Sequence, residues 1–174
     1  MFRSESMPVY IRRILLFCLV IITAVLQNTV GLMPTVFGAR FFPLIPLVVA
    51  IGMCDGELSG LVYGAAAGAF WDICSFGPDG IHALYLAVVG CVAGVLVHYF
   101  MKNRLLTQYC ICVPATVISA VFYWFVSVGQ PVGDAGHEKL LLFYLPSAVI
   151  TSTFSFITYY FIKFICEKLK EKIK

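Results

Sequence analysis

GLVYGAAAGAFWD, residues 60–72, sets Gly60, Gly64 and Gly68 four apart and closes on Asp72. Side chains at that spacing stand above one another on a single face of a helix. Three absent Cβ atoms therefore leave a smooth stripe along which a second helix can approach closely, a feature that contact with lipid alone does not require. A carboxylate attached to so apolar a segment needs a partner or water, and polar groups placed this way are functional candidates. The stretch predicts a helix packed against a neighbour, with Asp72, the one acidic residue plainly joined to an apolar span, at its end.

The rest of the chain sets that helix in a membrane. Of its 174 residues, 61% are hydrophobic and 12% charged, and the mean hydropathy is +0.95. A water-facing surface needs roughly 25–35% charged residues, so the composition is that of an integral membrane protein. The longest break between apolar segments, residues 129–139, leaves no room for an appended soluble catalytic domain. A single transmembrane domain over residues 1–174 is expected, with its function in the helices and short loops.

A helix needs about 20 residues to cross the hydrocarbon. Measured against that length, the apolar runs predict an all-α protein of six spans: Ile14–Leu32, Phe41–Cys54, Leu58–Ser75, Ile81–Met101, Leu105–Val128 and Leu140–Cys166. The second is short and carries Pro43 and Pro46, so it either begins as extended chain or is a re-entrant piece packed inside the protein. Positive charge stays on the cytoplasmic side of short loops. With the amino terminus inside, ten cations are cytoplasmic, Arg3, Arg12, Arg13, Lys102, Arg104, Lys163, Lys168, Lys170, Lys172 and Lys174, and only Arg40 and Lys139 fall outside. Both termini are then cytoplasmic, an outcome that a four-span arrangement with the second and third segments re-entrant would share. Residues 1–13 form a short cytoplasmic amino terminus, and the first span, whose apolar core runs on to Leu26 without an A-x-A exit, reads as an uncleaved anchor.

Across the end of the last span and beyond it, Ile162, Ile165, Leu169 and Ile173 continue a helical stripe, while five lysines from Lys163 onward face only Glu167 and Glu171. This basic extension, residues 167–174, suits anionic lipid headgroups or an acidic partner. Gly90 and Gly94 mark the fourth span for close packing, and the turn chemistry of Gly77-Pro78 and Asp79-Gly80 makes the third and fourth spans antiparallel neighbours. The seven cysteines show no metal spacing and read as small apolar fillers. His82, His98 and His137 form no metal motif, Ser59 lacks a nucleophile context, and the histidines read as interfacial or loop residues. Neither an enzyme, a cofactor, a metal nor a nucleic-acid partner is expected.

A resemblance follows from the order of these features. Leu26-Gln27 closes the first span, Arg40 stands before a proline-containing apolar run, Gly64, Gly68 and Asp72 come next, Gly80 lies eight beyond the aspartate, and a small-residue helix runs from Ala83 to Gly94. In this arrangement the chain resembles the MreD family, small multispanning rod-shape-determining proteins of bacterial cell-wall elongation. The resemblance implies a multi-pass plasma-membrane protein without chemistry of its own. It would bind the single-span protein MreC and belong to an assembly with the MreB filament and a cell-wall glycosyltransferase and transpeptidase.

The fold so implied is similar to the six-helix substrate-binding subunits of energy-coupling-factor vitamin transporters, and such a subunit is the rival reading. It needs polar groups converging near mid-membrane, whereas Gln27, Asn28, Asp72, His82 and His98 lie near span ends. The candidate helix-packing or partner-binding residues are Gly60, Gly64, Gly68, Asp72, Arg40, Gln27, Gly80, Gly90 and Gly94. For Asp72 two environments are expected, a pair with Arg40 at the outer edge or a snorkelled carboxylate in water.

Overall fold

The computed structural model describes residues 6–29, 41–74, 80–128 and 145–171. Among these the chain forms six helices and no strand: α1 (Ser6–Asn28), α2 (Leu44–Asp55), α3 (Glu57–Cys74), α4 (Ile81–Tyr99), α5 (Leu105–Val128) and α6 (Leu145–Glu171). Four of them, α1, α4, α5 and α6, contain stretches long and apolar enough to cross a membrane, the make-up of a multi-pass membrane protein. Their outward side chains, among them Ile14, Ile22, Leu84, Leu106 and Ile157, are apolar and exposed, as a surface solvated by lipid tails requires.

The centre of the molecule is the shortest helix. Every residue of α2 from Leu44 to Met53 is buried, on all sides, and α1, α3, α4, α5 and α6 all pack against it. A helix apolar all round belongs in an interior. Its 12 residues rise only about 18 Å, against roughly 30 Å of hydrocarbon. Phe41–Pro43 form a non-helical lead-in, Pro43 is the N-cap, and Pro46 falls in the first turn, where a missing N–H breaks no helical hydrogen bond. Of the features expected for this segment, packing inside the protein is observed, while Pro43 already has helical φ and ψ rather than an extended backbone.

Gly56 alone joins α2 to α3. Its φ of 97° is open to glycine without a Cβ clash. Its N–H returns to the Gly52 carbonyl at 3.0 Å, and its own carbonyl receives the Gly60 N–H at 2.9 Å. The chain therefore reverses within one residue.

Long-range hydrogen bonds fix both ends of the bundle. At the Gly56 end the Tyr63 hydroxyl donates to the Arg13 carbonyl (3.1 Å), the Asn103 amide to the Met53 carbonyl (3.0 Å) and the Tyr159 hydroxyl to the Asn103 carbonyl (3.2 Å). At the opposite end the Leu44 N–H donates to Gln27 Oε1 (3.2 Å) and the Phe42 N–H to Thr151 Oγ1 (3.2 Å). Successive helices thus alternate in direction. Arg12, Arg13, Lys102, Arg104, Lys163 and Lys168 all belong to the Gly56 end, where α1 starts and α6 finishes.

The predicted spans for α3, α4 and α5 match the helices to within two residues. The first helix starts earlier than expected, at Ser6, and the last runs on through Cys166 to Glu171. The predicted ends at Leu32 and Leu140 lie outside the described residues.

Candidate functional site

The glycine stripe faces α4 within the same chain. A Cβ on Gly60 would come closer than 3.0 Å to the Gly90 carbonyl, and one on Gly68 equally close to the His82 carbonyl and the Ala83 backbone. Between them Gly64 lies against Leu86 and Ala87. The two backbones are in direct contact over the length of α3, and Gly90 and Gly94 supply the reciprocal space on α4. Gly52 of α2, which continues the four-residue glycine spacing backwards through Gly56 but was not among the candidate residues, meets Gly90 in the same way and completes a three-helix junction.

One turn beyond Gly68, Asp72 closes the contact. The first N–H groups of any helix lack intrahelical partners, and the N-cap of α4 is Gly80, at φ 85°, which has no side chain to serve them. Asp72 serves them from the neighbouring helix: Oδ1 accepts the His82 N–H at 3.2 Å and Oδ2 the Ala83 N–H at 3.0 Å. These are the groups that an N-cap side chain normally takes, and a negative charge is favoured at a helix amino terminus. The same Oδ1 lies 2.5 Å from His82 Nδ1, for which a carboxylate makes Nδ1 the donor. Trp71 stacks on the His82 ring at 4.7 Å and Phe42 on Trp71 at 5.4 Å, so that two aromatic rings from α3 and the lead-in to α2 are layered over the imidazole. Both side chains of the pair are only 9% exposed.

Several expectations change accordingly. Asp72 is not a snorkelled carboxylate in water, because three donors on α4 already hold it. Arg40 lies outside the described residues. His82 is a buried residue in the first turn of α4 rather than a loop one, its role hidden because the partner sits across a turn; His98 is exposed at the end of α4 and His137 lies outside the described residues. Gly80 serves by its positive φ, since a Cβ there would meet nothing within 4 Å. Gln27 caps α2 through the Leu44 N–H, and its Nε2 is buried without a hydrogen-bond partner among the described residues.

Two polar contacts had no signal in the sequence reading. Asp55, at the carboxyl end of α2, is 4% exposed in its side chain and pairs with Arg12 at 2.5 Å, so Asp72 is not the only acidic residue built into the apolar body. Gln108 is fully buried, its Nε2 donating to the Pro46 carbonyl (3.3 Å), the Ser155 carbonyl (3.1 Å) and Thr158 Oγ1 (3.2 Å). It staples α2, α5 and α6 together.

A cavity of about 270 Å³ opens between α4 and α5 beside this site, walled by Trp71, His82, Tyr85, Val88, Ser119 and Phe122. The hydroxyl of Tyr85, one of its lining residues, donates to the Ala115 carbonyl of α5. Among the described residues no three His, Cys, Asp or Glu side chains gather as a metal ion would need. The site as a whole fastens helices to one another. In comparison with known proteins, no family model, curated protein or solved structure matches the chain.

Proposed function

We propose that this chain is a non-enzymatic membrane subunit of the bacterial cell-elongation machinery, of the MreD kind, crossing the plasma membrane six times with both termini in the cytoplasm. In this reading it binds an MreC-like single-span partner and helps to organise peptidoglycan synthesis by a glycosyltransferase and transpeptidase, directly or through the MreB filament. The supporting observation is that Gly64, Gly68, Asp72 and the helix to Gly94, a part of the residues that carry the resemblance, act together in holding α3 to α4. The gathering of Arg13, Lys102, Arg104, Lys163 and Lys168 at one end favours that end as the cytoplasmic one. Because α4 occupies the glycine stripe, a partner helix docks on another face.

The rival reading, a substrate-binding subunit of a vitamin transporter, draws on the α4–α5 cavity. At about 270 Å³ it falls below the roughly 300–1,000 Å³ of sites that enclose small molecules. Its walls are mainly apolar. The deciding experiment depletes the protein in its host while recovering a tagged copy from solubilised membranes. The elongation role predicts rounded cells and co-purification of a single-span protein with an outer domain. Unchanged cell shape, together with an ATPase pair in the recovered complex, would establish the transport role instead.

A further inference from the structure

Consecutive in the chain, α4 and α5 are nevertheless fastened to different neighbours. The glycine stripe draws α4 against α3, and Gln108 ties α5 to α2 and α6. The cavity of about 270 Å³ lies between the two. Ile81, Leu84, Tyr85 and Val88, at the i, i+3, i+4 and i+7 positions of one face of α4, run along it, while Ser119 and Phe122 line it from α5 and Trp71 from α3.

Polar groups on these walls are engaged within the protein. The Tyr85 hydroxyl donates to the Ala115 carbonyl, the Ser119 hydroxyl to the Thr116 carbonyl at 2.7 Å, and His82 Nδ1 to Asp72. What the walls offer a guest is carbon. An apolar cavity of about 150 Å³ already stays dry and takes up benzene from water, and the lining of an empty one forgoes its dispersion contacts. Leu84 and Val88 line the cavity and are also 70% and 53% exposed, so the space is continuous with the outward surface that lipid tails solvate. One turn of a partner helix, about 10 Å across and about 5.4 Å long, is too bulky for this volume. A single alkyl chain is not.

We propose that this cavity is a lipid site that takes the middle of one acyl chain of a bilayer phospholipid, with Trp71 against the chain. From Ile81 to Val88 α4 rises about 10 Å, a depth that one leaflet of a hydrocarbon core roughly 30 Å thick accommodates. The headgroup stays outside, toward the Asp72 end. The site rests on the membrane reading of the chain and not on the elongation role.

Bromine quenches an indole only at close range, which makes Trp71 the reporter. The chain has two tryptophans, so Trp124→Phe leaves Trp71 alone. This full-length variant is reconstituted in vesicles of dioleoylphosphatidylcholine, or of the same lipid with bromine added across the double bond of each chain. Trp71 is only 6% exposed, yet its emission should fall by about half in the brominated vesicles. Filling the cavity with Ser119→Leu, or separately with Val88→Phe, should restore most of that loss. Absence of quenching overturns the proposal, and so does quenching that neither filling variant reduces, since the bromines would then act from the surrounding bilayer. A second measurement needs no filling variant: photolysis of the unaltered protein with a phosphatidylcholine carrying a diazirine at mid-chain should tag Trp71 or Tyr85. Tags confined to outward residues such as Leu84 overturn the site.

Discussion

Removing the Asp72 carboxylate strips the first turn of α4 of its acceptors, because Gly80 has no side chain to replace it. Asp72→Ala should lower stability by about 2 kcal/mol, the scale of a lost helix cap that also carries charge. Asp72→Asn keeps an oxygen for one N–H and should lose less, so unfolding of the two variants in detergent separates cap from charge. At the other end, Asp55→Ala leaves Arg12 buried and unpaired and should cost about 3–5 kcal/mol, whereas replacing both members with apolar residues should cost far less. Neither partner was legible beforehand. Asp72 announced its need for company, but a linear sequence carries no register between helices, so His82, on the far side of a turn, read as an ordinary edge histidine. Gln108 follows Lys102 and Arg104, and Asp55 stands beside Gly56 and Glu57, settings in which polar residues are expected to face water.

At the level of helices, the glycine period was readable because it is encoded within one turn and its geometry follows from the absence of Cβ atoms. It forecast a close-packed neighbour, and α4 is that neighbour. Gly64→Leu should drive the two backbones apart at Leu86 and Ala87 and lose at least about 1–3 kcal/mol, which a chemical unfolding curve would register. Gly56→Ala tests the turn rather than the packing, since a Cβ there has open space but φ is 97°; a penalty of about 1–3 kcal/mol is expected from backbone strain alone. The central place of α2 was harder to foresee. Its brevity was visible, but burial on every side depends on five other helices closing round it, and nothing in its own residues distinguishes that from a short crossing.

For the molecule as a whole, alternating helices bring the start of α1 and the finish of α6 to one end, together with Arg13, Lys102, Arg104, Lys163 and Lys168. A membrane-impermeant maleimide should therefore fail to label Asn103→Cys in intact cells, in a background lacking native cysteines, and should label it in inverted vesicles. The account rests at this scale on α3 and α4 forming one unit, pinned where Asp72 meets His82. The most direct measurement is a double-mutant cycle on Asp72→Ala and His82→Ala, followed by reversible unfolding in detergent. A coupling energy of about 1–3 kcal/mol between the two substitutions is the predicted result. Simple additivity would contradict the account, for it would mean that the two side chains act on the fold separately.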